Sequence, residues 1–162
     1  MKLWDKGIKL HTLIEEFTIG NDPGFDMMLA KHDVIGTLAH ITMLSSINLL
    51  SKEELQKLKT ALLEIYQQIE TNTYKIQPGV EDIHSQVEIS LTEKLGEAGK
   101  KIHCARSRND QIMLDIKLFI REEIKTLVEQ VSGIFNELTG QSEKYKEVLM
   151  PGYTHLQVAM PS

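Results

Sequence analysis

The sequence has 162 residues, 41% of them hydrophobic and 25% charged, with a formal net charge of −5. That apolar content suffices for a sizeable core, while an acidic balance with dispersed basic residues excludes a general binder of nucleic acid or anionic membrane, which needs a basic face. No apolar run reaches bilayer-spanning length, Met1-Lys2-Leu3-Trp4-Asp5-Lys6 is too polar to open a secretory signal, and the single Cys104 can form no internal disulfide, so a soluble, cytoplasmic chain is expected.

In chain order, Met1 to Gly24 reads as irregular, with a short helix from about Leu10 to Phe17 and then a cluster of turn formers from Thr18 to Gly24. From Phe25 to about Leu50, Met28, Leu29, Val34, Ile35, Leu38, Ile41, Met43 and Leu44 predict a second helix that is mostly core, with Gly36 as a close-packing site. His32 and His40 are too far apart for an i, i+4 ligand pair and nothing completes a ligand set, so no metal is expected, and the methionines read as core fillers. Ser51-Lys52-Glu53-Glu54 is a capping box. It opens a helix whose Leu55, Leu58, Leu62, Ile65 and Ile69 form a seam too short for a coiled coil, which suits packing inside the chain.

Thr71 to Val80 is a loop, and Glu81-Asp82 begins another helix through Ile83, Val87, Leu91 and Leu95. Gly96-Glu97-Ala98-Gly99 lacks the third glycine and the strand of a dinucleotide fingerprint and reads as a helix stop, so no nucleotide cofactor is implied. Lys101 to Gln111 is a polar loop feeding the longest periodic segment, in which Ile112, Ile116, Phe119, Ile120, Ile124, Leu127, Val128, Val131, Ile134, Phe135 and Leu138 share one helical face. A helix from about Arg108 to about Tyr145 would be roughly 55 Å long, which suggests a bundle. No repeat and no convincing strand is evident, so the expected fold is all-α: a small N-terminal helical domain over 1–107, then the first long helix of a central bundle over 108–162.

Two segments carry chemistry. At the start of the long helix Ser107, Arg108 and Asn109 place side-chain donors beside unpaired backbone N–H groups and the positive end of the macrodipole, an arrangement that suits a carboxylate or phosphate. The plainer alternative is that Ser107, Asn109 or Asp110 caps the helix. Near the C-terminus, Met150 to Pro161 breaks the helical pattern with prolines and a glycine and gathers Thr154, His155 and Gln157; His155 can exchange a proton near neutrality.

Ile102-His103-Cys104-Ala105-Arg106-Ser107-Arg108-Asn109-Asp110-Gln111 resembles the first signature region of the argininosuccinate lyase branch of the fumarase and aspartase superfamily, usually Leu-His-Thr-Gly-Arg-Ser-Arg-Asn-Asp-Gln. Pro151-Gly152-Tyr153-Thr154-His155-Leu156-Gln157 resembles the second. The likeness runs along the whole chain, from Lys2-Leu3-Trp4 through Asp33-Val34-Ile35-Gly36 and Glu81-Asp82-Ile83-His84 to Ser162. It implies reversible β-elimination of argininosuccinate to arginine and fumarate in arginine biosynthesis, by a cytoplasmic homotetramer without cofactor or metal. It further implies that Ser107, Arg108, Asn109 and Thr154 contact substrate, that His155 takes part in proton transfer, and that a serine on a mobile loop beyond this chain supplies the other catalytic group. The third signature region is absent, so the chain is expected to be a fragment that folds, self-associates and is inactive alone.

The family's cysteine position usually holds threonine, so Cys104 is not read as a nucleophile. Its N-terminal substrate-contacting serine has no evident counterpart among Gly20, Asn21 and Asp22, and His84 is left without a role. Alternative readings are another lyase of the superfamily, of the adenylosuccinate type, and a non-catalytic structural relative.

Overall fold

A computed structural model of the protein describes residues 11–161; the expected likeness at Lys2-Leu3-Trp4 lies outside them. By its contacts the chain divides into two units, Met1–Ile120 and Arg121–Ser162.

In the first unit, α1 (Thr12–Ile19) ends at Gly20, whose φ of +52° is a left-handed turn conformation. α2 (Asp22–Ser46) therefore begins within the expected cluster of turn formers rather than after it, with Pro23 in its first turn, where a missing N–H costs nothing. α3 (Lys52–Glu70) starts at the expected capping box: the Ser51 side chain accepts from the Glu54 N–H and Glu54 Oε2 accepts from the Ser51 N–H. α4 (Ile83–Leu95) is capped by Asp82, whose carboxylate accepts from the Ser85 N–H at 2.6 Å. Gly96, at φ +61°, stops α4 as its sequence suggests, but the chain restarts at once as α5 (Glu97–Lys100) and a 3₁₀ turn (Lys101–His103) before the long α6 (Arg108–Tyr145).

The core lies where α2, α3 and α4 meet. Val34, Ile41, Leu44, Leu58, Leu62, Ile83, Val87 and Leu91 are fully buried, and Ile102 of the 3₁₀ turn closes one end. Each such aliphatic side chain contributes about 1.5–3 kcal/mol of transfer free energy. The α3 seam packs within the chain, Leu58, Leu62 and Ile65 buried and Leu55 and Ile69 against them. Only one face of α2 is core. Met28, Ile35 and Met43 fall on the opposite face and stay 40–54% exposed, and Met113, Met150 and Met160 are exposed too, so among the described methionines only Met27 packs against the core. Gly36 is the close-packing site expected of it: a Cβ there would meet Leu114 Cδ2 of α6 at 2.9 Å.

The second unit continues α6 into a two-stranded antiparallel hairpin, β1 (Pro151–Thr154) and β2 (Gln157–Pro161), paired Tyr153↔Val158 and Thr154↔Gln157 with a bulge at Gly152/Tyr153. The fold is all-α apart from this hairpin, which periodicity could not reveal because so short a Pro/Gly-bounded segment carries little pattern. Along α6 the apolar stripe is uncovered: Ile124, Leu127, Val128, Val131, Ile134, Phe135 and Leu138 are 54–67% exposed. In the described residues nothing packs over it. No helix among the described residues is long and apolar enough to cross a membrane.

Candidate active site

The loop Cys104 to Ser107 is fastened from three sides before α6 begins. His40 of α2 donates from Nε2 to the Cys104 carbonyl at 2.8 Å, and burial holds its proton affinity below the usual imidazole range. Arg106 turns inward and donates from Nη2 to Thr37 Oγ1 at 2.9 Å. Lys101, just upstream, pairs at 2.5 Å with Glu54 Oε1, the carboxylate that also completes the α3 capping box. Cys104 is exposed and unbonded to sulfur. Ala105 adopts φ +59°, a left-handed conformation that glycine takes without penalty.

At the start of α6 the three predicted ligand residues come together but do different work. Ser107 is the cap: its N–H and Oγ–H both donate to Asp110 Oδ2, at 2.8 and 2.9 Å, and the Asp110 N–H returns to Ser107 Oγ at 3.3 Å. Those bonds hold the Asp110 carboxyl below its usual range. Arg108 is splayed over α4, with Nε 3.4 Å from Asp82 Oδ2 and donated bonds of 3.2 Å to Ser85 Oγ and Gln111 Oε1. Asn109 is exposed at the helix mouth. Ser107 thus caps the helix in this structure, and Asn109 is exposed beside it.

Thr154 and His155 lie in the second unit, at the hairpin end. His155 and Leu156 form its two-residue turn with φ +49° and +62°, the signs of a type I′ turn, and both are exposed. Thr154 pairs with Gln157 across that turn.

Beneath the loop lies a group of residues that periodicity passes over. His84 donates from Nδ1 to Asp33 Oδ1 at 2.9 Å, the same Nδ1 lies 3.6 Å from Asp115 Oδ2, and Gln111 Nε2 donates to that Asp33 oxygen at 3.4 Å. All four residues are buried. Burial alone would lower His84, but the bond to Asp33 and the charges of Asp33, Asp82 and Asp115 outweigh it and raise its proton affinity. Burial and the neighbouring Asp33 push Asp115 up to about 7. One ring nitrogen and two carboxylates within 4.8 Å have the composition of a cation site, and the half-buried Arg106 adds a longer-range positive charge that both carboxylates feel. The signal that finds them is a polar residue at a core-facing helical position: Asp33 beside Val34, and Gln111 and Asp115 four apart on α6.

Next to this group a cavity of about 270 Å³ opens, lined by Phe25, Leu29, Ile112 and His84 and by the carboxylates of Asp22, Asp26, Glu81 and Asp82. Burial raises Asp26, and its Oδ2 accepts from the Ile83 N–H at 3.2 Å.

A family model described as "Lyase" matches residues 11–162. The chain belongs to that lyase family. It is 58% identical over 99% of its length to an argininosuccinate lyase of Bacteroides fragilis, 57% identical over 99% to one of Bacteroides thetaiotaomicron, and 38% identical over 99% to one of Thermotoga neapolitana. It spans 36%, 36% and 40% of those lyases' lengths, respectively, so it corresponds to about a third of a curated relative.

Proposed function

We propose that this chain is the N-terminal part of an argininosuccinate lyase, cleaving argininosuccinate reversibly to arginine and fumarate by β-elimination. The observation that carries the reading is the Arg106-Ser107-Arg108-Asn109 run seated at the mouth of a 38-residue helix in a chain so close to proteins of that name. The reaction removes a proton from a carbon beside a carboxylate, and the dianion that forms needs preorganised donors around its oxygens. The free backbone N–H groups and positive pole of α6 supply them. Asn109 presents its amide to the substrate, Arg108 adds charge, and Ser107 contributes once substrate competes with Asp110 for its hydroxyl. Thr154 is a further substrate contact and His155 takes part in proton transfer. The acidic cavity beside His84 favours the cationic guanidino end of argininosuccinate over the phosphate that an adenylosuccinate-type substrate carries.

In this reading residues 1–107 form the N-terminal domain, residues 108–162 open a central bundle, and the bare α6 stripe is covered by further helices in a cytoplasmic homotetramer. The test is fumarate release from argininosuccinate, followed by ultraviolet absorbance. This chain alone is expected to show no steady turnover. A full-length lyase carrying it should turn over, and His155→Ala there should cost about 10²–10⁴-fold in kcat, the usual worth of a positioned acid or base. Cleavage of adenylosuccinate instead, or indifference to His155→Ala, would sink the reading.

A further inference from the structure

We propose that Asp33, His84 and Asp115 share a proton in one buried cluster with Arg106, and that this cluster positions the Arg106–Asn109 loop by clamping it to α2 and α4. The geometry carries the assignment. A single nitrogen, His84 Nδ1, faces a carboxylate oxygen from α2 at 2.9 Å and another from α6 at 3.6 Å. The three residues are 1–3% exposed, so water cannot screen their charges. Two carboxylates this close and this deep cannot both ionise at low cost unless cations or a proton lie between them. The imidazolium supplies a cation in contact with both, and the Arg106 guanidinium adds a longer-range positive charge.

The link to the loop is direct. Arg106 reaches Thr37 Oγ1, one turn along α2 from Asp33. Gln111 donates to Asp33 and accepts from Arg108, so the same cluster steadies both arginines that flank Ser107. The other charged groups around it are Asp26 of α2, Asp82 and Glu88 at and within α4, and Arg108 at the start of α6. Asp26 and Asp82 add negative charge toward His84 and favour its cationic form. Asp33, His84 and Asp115 are positioning residues here: they act through Arg106 and Gln111.

Both proton-binding shifts have one sign. His84 binds its proton more tightly folded than unfolded, and Asp115 titrates about 7 rather than at its ordinary 3.8. The native state therefore holds more protons: the Asp115 contribution is full below its ordinary 3.8 and is lost as pH rises to about 7, and the His84 contribution is full below its ordinary 6.5 and is lost as pH rises above it. His40 acts in the opposite sense, but below its ordinary 6.5.

The experiment is a pH titration of the uniformly ¹⁵N-labelled chain by NMR, following the His84 ring nitrogens and, in parallel, the Ser107 and Asn109 backbone amides. The His84 imidazolium should persist above the ordinary midpoint, and both amides should shift with the same midpoint. Asp33→Asn should lower that midpoint by about one to three pH units, the usual effect of removing an adjacent opposite charge. Should Asp33→Asn not fold, the wild-type titration still decides, and Asp115→Asn should flatten the fall in thermal stability between about pH 4 and pH 7. A His84 ring already neutral in mildly acid solution, or loop amides that ignore its titration, would overturn the proposal. Neither readout uses turnover, so its failure and that of the lyase reading are separable.

Discussion

Ala105 shows how much a single position in the loop matters. Its φ of +59° places a Cβ where the left-handed conformation crowds it against the next carbonyl, at a position where the resembled signature has glycine. Relief of that crowding is worth about 1–2 kcal/mol, and the greater freedom of an unfolded glycine returns about 0.4–1 kcal/mol. Ala105→Gly should therefore raise the denaturation midpoint modestly; a lowered midpoint would show that the Cβ makes a contact that offsets the strain. The sequence made Ser107, Arg108 and Asn109 legible as a group because their types and spacing suit an anion. It could not divide their labour, because that depends on Asp110, Asp82, Ser85 and Gln111 competing for the same donors.

At the scale of elements, two buried glycines distinguish soft from hard contacts. A methyl at Gly36 would strike the end of the Leu114 side chain, which is 40% exposed and can swing away, so Gly36→Ala should stay within about 1 kcal/mol of neutral once helix propensity is credited. A methyl at Gly99 would lie 2.5 Å from the Leu91 carbonyl and the Thr92 nitrogen, which cannot move without unmaking the end of α4. Gly99→Ala should cost about 1–3 kcal/mol as overpacking does. Urea unfolding of the two variants checks the order, and equal losses would refute it. The same contrast explains what could be foreseen. The start of α3 was readable because a capping box is local chemistry, and α6 because its periodicity is long. The restart after Gly96 was not, since it hangs on α5 lodging against α4, a tertiary contact that no local pattern announces.

For the whole molecule the governing fact is that α6 buries polar Gln111 and Asp115 at its beginning while leaving Leu127, Val131, Phe135 and Leu138 at 57–67% exposure farther along. An apolar stripe of that extent calls for a partner surface, and a second copy of this chain, carrying the same stripe, offers one. Sedimentation should show self-association, and Leu127→Glu with Val131→Glu should shift the population to monomer; a clean monomer before mutation would refute the expectation. Whether a stripe is covered is a property of neighbours, so the sequence could show its existence but not its fate. Contact built this way, with few ion pairs to hold it, draws its strength from released hydration water and loosens as temperature drops. Assemblies formed at room temperature should come apart on ice and re-form on warming.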